Sequence, residues 1–428
     1  MDEYIGGTTK ADHLCVLVHG LWGEPKHMTN VAKFLRQSHS ADELYLLIAE
    51  RNTGNNTYDG IERGGERVCA EIEEELQKIE GKGGKITKLS VVGYSMGGLV
   101  ARYAVGLLDA RGVLDSVECM NFTTFATPHL GARSPAKGMQ GHIFNVLAAR
   151  TLSMSGRQMF IIDSFRDTGR PLLSIMVDDN SIFMNGLRKF KRHSLYSNVV
   201  GDEIAPYYTT CISRTNPYVD TNKIKVNYLK GQEDVIIDYA NALVSDYKPG
   251  PPPPRWTLER IRFLVLISIF IPIGVTIFLG MALVQSFRSA SRIRLHEAGR
   301  GGVKVEDYRM PFMINELREG VEHAYEALNN AKPQQFLGSR SDQAIDLEER
   351  QVKGDKAQGS SGHPTLALAE AQFQMIDELD KLNWRKYPVW IHNERRSHAA
   401  IIVRMDKPSY DEGRLILKHF SEQEFLTR

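Results

Sequence analysis

Residues 89–109 read LSVVGYSMGGLVARYAVGLLD, and they join a short apolar run to a longer helical pattern through a serine flanked by glycines. The first four residues are mostly apolar, as in a buried strand, whereas the part from Leu99 onward has helical spacing. A serine on such a sharp strand-to-helix turn has strained torsions and needs neighbours without bulk, which Gly93 and Gly97 supply. The stretch therefore predicts that Ser95 is a nucleophile.

The first 130 residues continue this alternation of short apolar runs and longer amphipathic stretches. Such alternation is typical of βαβ units around a mostly parallel sheet. The predicted strands are His13 to Val18, Leu44 to Ala49, Leu89 to Val92 and Phe122 to Phe125, and the predicted helices are Met28 to Gln37, Gly65 to Glu80 and Gly97 to Asp109. Together with the turn at Ser95, the pattern predicts an α/β-hydrolase fold.

The composition is that of a globular protein without a charge bias. Of the 428 residues, 42% are hydrophobic, and 53 basic side chains balance 52 acidic ones, so nucleic acid is not an expected partner. The N-terminus lacks the apolar core of a secretory signal. The four cysteines are scattered and form no CxxC pair, which favours a reducing, cytosol-facing location; they are Cys15, Cys69, Cys119 and Cys211.

Beyond residue 130 the chain divides by composition. Residues 131–195 lose the alternation and are interpreted as a lid insertion before a strand-like run at Leu195 to Val200. A proline-rich stretch then predicts an extended linker. The predicted divisions are 1–248 for the core with its lid, 249–256 for the linker, 257–295 for a hydrophobic segment, 296–364 for a partly helical and partly disordered insertion, and 365–428 for the C-terminal part of the hydrolase domain.

Two backbone amides are predicted to form an oxyanion hole. Acyl transfer in this fold uses the amide that follows the nucleophile, here Met96, and a second amide from an earlier strand-end loop. His19, Gly20 and Leu21 follow the first predicted strand, where the glycine lets the backbone approach the serine, so Leu21 would be the second donor. His19 is interpreted as structural, because the order of the triad in this fold is serine, acid, histidine.

The acid is expected at the end of a later strand. Asp202 occupies such a position, directly after the apolar run that ends at Val200 and Gly201. The alternatives that remain open are Asp220, Asp234 and Asp238.

The base must lie far from the acid in sequence, because no histidine occurs between Asp202 and the hydrophobic segment. Only His392 and His398 lie between two strand-like runs, Pro388 to Ile391 and Ala399 to Val403. We favour His398, whose small neighbours leave room for an imidazole facing Ser95, and His392 is the alternative. The full set of candidates is His296, His323, His363, His392, His398 and His419.

Several stretches also resemble a known family: Val16 to Gly23, Tyr58 to Ile61, Gly64 to Arg67, Gly93 to Tyr103, Thr127 to Gly131, Tyr196 to Asp202 and His398 to Arg404. They are similar to the serine esterase family of fungal Rog-type lipases and the related lipid-droplet phospholipase. The resemblance implies lipid ester hydrolysis with Ser95 as nucleophile and Asp202 and His398 as its partners. His129 resembles a structural position of the family and is expected to transfer no proton.

The segment Phe263 to Phe287 contains 25 residues without a charge and has arginines on both flanks. As a straight helix it would be about 37 Å long, enough to cross a bilayer with tilt. A single crossing would place Ser95 and His398 on opposite sides. We therefore expect a hairpin hinged at Pro272 and Gly274, a helix lying in the interface, or burial against the protein.

These patterns predict a lipase or phospholipase that hydrolyses lipid esters without a metal or redox cofactor. We expect it to be attached to the cytosolic face of the endoplasmic reticulum or to a lipid droplet. Two alternatives remain open. One is an acyl-protein thioesterase or general carboxylesterase tethered to a membrane, and the other is a non-enzymatic scaffold on a lipid surface. A single span with an inactive domain is disfavoured by the intact turn at Ser95.

Overall fold

A computed structural model of the chain describes residues 3–132, 151–232, 234–244, 280–301, 303, 308, 366 and 368–428. Six strands form one parallel sheet in the order β2-β1-β3-β4-β5-β6. Their bounds are His13–Val18 (β1), Leu44–Ile48 (β2), Lys88–Tyr94 (β3), Glu118–Phe125 (β4), Arg192–Asn198 (β5) and Arg385–Val389 (β6).

Helices connect the strands and cover both faces of the sheet. Their bounds are Thr29–Ser38 (α1), Ile61–Gly81 (α2), Met96–Ala110 (α3), Ser153–Met159 (α4), Leu172–Ile175 (α5), Ile182–Arg188 (α6), Tyr207–Thr210 (α7), residues 280–297 (α8), Glu370–Asp380 (α9), Ser397–Ala400 (α10) and Asp411–His419 (α11). This parallel sheet with helices on both faces is an α/β-hydrolase fold, as predicted.

The core lies on both faces of the sheet. In β1, Leu14 and Val16 point into the cluster under α2 and α3, whereas Cys15 and Leu17 point into the cluster under α1 and α11. Because every strand of such a sheet is buried on both sides, its residues form continuous apolar runs. This explains why short apolar runs were sufficient to locate the strands.

The predicted strands of the first half are confirmed, with β1 matching His13 to Val18 at both ends. The strand predicted from Leu195 begins earlier, at Arg192, so the insertion is shorter than expected. The strand-like assignment of Ala399 to Val403 is wrong. Its residues donate backbone hydrogen bonds locally, from Ile401 to Ser397 and from Val403 to Ala400, and α10 forms instead. A short buried apolar run cannot be assigned to strand or helix from periodicity alone.

The described part of the predicted lid packs into the main core. Phe183 on α6 lies so close to α3 that a Cβ at Gly106 would be 2.4 Å from its ring, which explains a glycine inside a helix. Residues 133–150 of this insertion lie outside the described residues, and its role as a lid stays a prediction.

After residue 279 the chain packs against the domain in two places. Residues 368–428 supply β6 and its neighbouring helices, while α8 packs against α2 and the loop before it. Within the described ranges, no helix has the length and hydrophobicity needed to cross a membrane. Residues 263–279 of the predicted hydrophobic segment, the linker 249–256 and most of the insertion predicted at 296–364 are not among the described residues.

Candidate active site

Ser95 lies on the turn between β3 and α3 with strained torsions, φ 55° and ψ −134°. Its backbone N–H donates to the carbonyl of Phe125 at 2.9 Å, which fixes the turn to the neighbouring strand. A Cβ at Gly93 would lie 2.3 Å from the Cα of Gly98, and a Cβ at Gly97 would lie 2.3 Å from the carbonyl oxygen of Val18. Only glycine fits at these two positions, so the sequence permits this strained turn.

The structure brings the three predicted catalytic side chains together. Nε2 of His398 lies 2.9 Å from Oγ of Ser95, and Nδ1 lies 2.7 Å from Oδ2 of Asp202. Because the carboxylate accepts from Nδ1–H, the tautomer assigned here leaves Nε2 to accept the serine proton. The Asp202 side chain is 1% exposed, which shields this contact from water. This arrangement suits a nucleophile, a base and an orienting acid, and these three roles stay predictions.

The Asp202 carboxylate is held by further donors. It accepts from Nδ2 of Asn198 at 3.0 Å and from the backbone N–H groups of Ile204 and Ala205 at 3.2 and 2.8 Å. These hydrogen bonds fix the orientation of the carboxylate. Asp202 is thereby held in position to accept from the imidazole of His398.

The loops that carry Asp202 and His398 are fastened to each other. Oγ of Ser397 donates to the carbonyl of Val200 at 2.6 Å, and the hydroxyl of Tyr94 donates to the carbonyl of His398 at 2.9 Å. Gly201 has φ 76°, and a Cβ there would lie 2.6 Å from the carbonyl oxygen of Arg395. The left-handed glycine allows the two loops to approach closely, which sets the position of the imidazole.

The predicted oxyanion loop lies against the serine. Because β1 and β3 pair up to Val18 and Gly93, the residues that follow them are neighbours at the point where the strand order reverses. A Cβ at Gly20 would lie 2.7 Å from Cβ and 3.2 Å from Oγ of Ser95.

The two predicted oxyanion donors occupy suitable backbone positions. Met96 is the first residue of α3, where N–H groups have no partner within the helix. Next to Leu21, the N–H of Trp22 donates to Oγ1 of Thr57 and that of Gly23 to the carbonyl of Gly20. These contacts fix the loop around Leu21, and the donor roles of Leu21 and Met96 stay predictions.

Two other histidines near the strand ends have contacts that suit structural roles. Nδ1 of His19 lies 3.1 Å from the carbonyl of Gly20, and burial lowers its pKa. Nε2 of His129 lies 3.0 Å from Oγ1 of Thr124, its ring packs against Trp384, and burial lowers its pKa well below the usual value. Both rings are thereby held in the neutral form.

The alternative site residues lie elsewhere. His392 is half exposed, with Nδ1 3.0 Å from Glu412 and Nε2 3.4 Å from the hydroxyl of Tyr228. The carboxylates of Asp220 and Asp238 accept from backbone N–H groups of their own turns, and Asp234 is exposed. His296 contacts Glu66 and His419 contacts Tyr196, whereas His323 and His363 lie outside the described residues.

Sequence reasoning missed the residues that support the triad, namely Tyr94, Asn198 and Ser397. Each of them is adjacent to a predicted site residue or lies four residues from one, but the partners of Tyr94 and Ser397 are distant in sequence. Tyr94, for example, reaches a carbonyl 304 residues away. Their closeness in sequence to Ser95, Asp202 and His398 was the one signal that could have identified them.

The sheet, the strained turn and the hydrogen-bonded chain of Ser95, His398 and Asp202 define the α/β-hydrolase class of protein. Residues 8–215, just under half of the chain, match the family model described as Putative serine esterase (DUF676). The matched region includes Ser95 and Asp202 and ends before the part of the chain that supplies His398.

Curated relatives are putative fungal lipases. The chain is 27% identical over 234 residues to Putative lipase ROG1 of Saccharomyces cerevisiae, covering 53% of this chain and 31% of that protein. It is 28% identical over 216 residues to Putative lipase C4A8.10 of Schizosaccharomyces pombe, covering 48% of this chain and 26% of that protein. The chain therefore spans less than a third of the length of either relative.

Solved structures give weaker likenesses. A lipase-esterase related protein from Clostridium acetobutylicum is 13% identical, with a TM-score of 0.22 over 33% of this chain and 51% of that one. The structure of RedJ with a polyethylene glycol molecule in its active site is 17% identical, with a TM-score of 0.26 over 48% of this chain and 76% of that one. Scores this low add nothing to the fold assignment, which depends on the sheet and the site described above.

Proposed function

We propose that this protein is a serine lipase or phospholipase that hydrolyses acyl esters of membrane or droplet lipids. The observation that carries the proposal is the continuous chain of hydrogen bonds from Oγ of Ser95 through His398 to Asp202. The family match and the putative lipases among the relatives favour an ester as the substrate class.

In the proposed reaction Oγ of Ser95 attacks the ester carbonyl while Nε2 of His398 takes its proton. Asp202 stabilises the resulting imidazolium through Nδ1–H, and the amides of Leu21 and Met96 donate to the oxyanion. The imidazolium then protonates the leaving alcohol, and an acyl-enzyme remains on Ser95. Water, deprotonated by His398, attacks the acyl-enzyme and releases the fatty acid.

The residues before and after positions 245–279 are both attached to the hydrolase domain. This arrangement supports a protein that stays on one face of a membrane. Before this stretch, the N–H of Val244 donates to the carbonyl of Lys225 at 2.8 Å. After it, Ser289 and Arg292 of α8 bind Asp59. Since both ends return to one domain, we propose that the hydrophobic segment dips into a leaflet or droplet monolayer, or lies along its surface.

The exposed side chains of α8 support lipid contact. Met281, Leu283 and Phe287 are 62%, 60% and 71% exposed, and Arg288 and Arg294 follow on the same helix. Large exposed apolar side chains bordered by cations suit a headgroup region with acyl chains beneath it. We therefore propose a cytosol-facing location on the endoplasmic reticulum or lipid droplets.

A substrate panel with purified full-length protein tests the proposal. We expect faster turnover of micellar phospholipid or emulsified triacylglycerol than of a short soluble ester. Ser95→Ala should lower turnover by about 10⁴-fold or more, because the nucleophile is removed while the fold is kept. Ser116→Ala, which removes a hydroxyl from an exposed loop, is the matched control and should leave the rate unchanged.

The panel also separates the competing functions. Turnover of soluble esters or thioesters without a preference for aggregated lipid would favour a tethered carboxylesterase or thioesterase. If Ser95 does not react with a fluorophosphonate probe in a folded sample, the protein is a scaffold rather than an enzyme.

A further inference from the structure

We propose that a cleft beside α8 binds a phosphate group. The cleft has a volume of about 460 Å³, and four arginines from separate parts of the sequence line it: Arg51, Arg67, Arg292 and Arg300. Among the described residues no carboxylate lines this cleft, which we call the arginine cleft. Guanidinium groups present planar pairs of N–H donors that match phosphate oxygens.

A buried carboxylate behind the cleft fixes two of the arginines. The Asp59 side chain is fully buried and accepts from Nη2 of Arg67 at 2.8 Å, from Nη2 of Arg292 at 2.9 Å and from Oγ of Ser289 at 2.8 Å. One carboxylate, with one negative charge, pairs with two guanidinium groups that each carry a positive charge. One positive charge therefore remains unbalanced at the cleft that both arginines line.

The other two arginines retain free donors. Nη2 of Arg51 pairs with Glu74 at 2.5 Å, but its Nη1 is buried and has no hydrogen-bond partner in the described part of the chain. The exposed side chain of Arg300 has no acceptor among those same residues. A buried N–H without an acceptor is costly, and an anion in the cleft would supply one.

His296 provides an independent sign of a ligand. Its side chain is 1% exposed, and its Nε2 lies 2.7 Å from Oε2 of Glu66. His296 lines the cleft, and its Nδ1 is buried without a partner within the described ranges. A Cβ at Gly301 would lie 3.1 Å from Nδ1, so the glycine leaves room beside the ring. In the protonated ring, Nδ1–H would donate to an anion while Nε2–H donates to Glu66.

The arginine cleft lies between the apolar part of α8 and the oxyanion loop. Phe287 precedes Arg292 by little more than one helical turn, and Asn56, which also lines the cleft, precedes the Thr57 that accepts from the N–H of Trp22. The shared chemistry is a phosphate ester, supplied either by a phospholipid headgroup or by a soluble metabolite. The proposal does not depend on Ser95 being catalytic.

Calorimetric titration of full-length Ser95→Ala protein with inorganic phosphate, at constant ionic strength, tests the site. We expect saturable binding that becomes about tenfold weaker in the double variant Arg51→Gln/Arg300→Gln, since each removed guanidinium donates charge-assisted bonds. The control Lys82→Gln/Lys85→Gln removes the same charge from exposed positions outside the cleft and outside α8, and it should bind as the parent does. Absence of saturable binding, or an equal loss in both doubles, would overturn the proposal.

Vesicles then identify the source of the phosphate. Phosphatidylcholine vesicles with and without phosphatidic acid are sedimented with the same variants. If phosphatidic acid increases binding in the control double but not in the cleft double, the ligand is a lipid headgroup. If inorganic phosphate binds in the cleft and the cleft double responds to phosphatidic acid as the control does, the ligand is a soluble phosphate ester.

Discussion

Asp202 and Asp59 both have buried side chains, and both contact side chains that follow Phe287 in the sequence. Their partners differ in chemistry. The Asp202 side chain is 1% exposed and contacts the imidazole of His398, which reaches Ser95. Asp59 is fully buried and contacts the guanidinium groups of Arg67 and Arg292, which have no acceptor atom for a proton. Burial alone therefore does not distinguish a candidate catalytic carboxylate from a structural one. The distinguishing feature is a partner that can exchange a proton with a nucleophile, as the imidazole of His398 can with Ser95.

The largest effect should come from Asp202→Asn. The amide cannot stabilise the imidazolium and favours the wrong tautomer of His398, so turnover should fall by about 10⁴-fold while the melting temperature changes little. Steady-state kinetics and thermal denaturation measure the two quantities.

The matched control for this change is Asp238→Asn, which alters a carboxylate that accepts from its own turn. A fall in turnover with Asp238→Asn and none with Asp202→Asn would remove Asp202 from the site.

A smaller effect is expected from Gly20→Ala. The new methyl group would lie 2.7 Å from Cβ of Ser95 and 2.9 Å from the carbonyl oxygen of Tyr94, so the oxyanion loop must move. Losing one oxyanion donor costs about 10²- to 10³-fold in turnover, and we expect a loss of that order in kcat. Gly81→Ala, at a position with no atom within 4 Å of the new carbon, should leave kcat unchanged. An unaltered kcat in Gly20→Ala would contradict the placement of the loop.

Asp59→Asn should have the smallest effect on chemistry and should act on stability instead. Removing one partner from a buried ion pair costs about 3–5 kcal/mol, and chemical denaturation should show a loss of that order in the free energy of unfolding. The rate at which Ser95 reacts with a fluorophosphonate should stay close to that of the parent.

The control for this stability change is Asp42→Asn, whose half-exposed pair with Lys10 is worth at most about 1 kcal/mol. If Asp59→Asn abolished labelling in a folded sample, the contrast between the two aspartates would fail.

Much of the sheet could be predicted from the sequence, because its strands are buried on both faces and form continuous apolar runs. Ser95 could be predicted for a related reason, since a strand, a glycine-flanked turn and a helix are contiguous in the chain. Asp202 and His398 required the order of the triad as well. That order excluded every histidine before the hydrophobic segment and left His392 as a competitor, which the geometry places beside Glu412.

The remaining features depend on contacts between distant segments. No local pattern shows that Asp59 will meet Arg292, 233 residues later. The apolar run Ala399 to Val403 was read as a strand, because its hydrophobicity reports burial and not backbone conformation. The contacts of Tyr94 and Ser397 that support the triad likewise join segments that are distant in sequence.

The central claim is that His398, which follows the hydrophobic segment in sequence, is the base for Ser95, which precedes it. The most direct test is the rate at which a fluorophosphonate labels Ser95 in His398→Ala and in His392→Ala, with circular dichroism to show that both variants are folded. The account predicts a fall of about 10³-fold or more for His398→Ala and a rate within about twofold of the parent for His392→Ala. An unchanged rate in His398→Ala, or a collapse in His392→Ala alone, would contradict it.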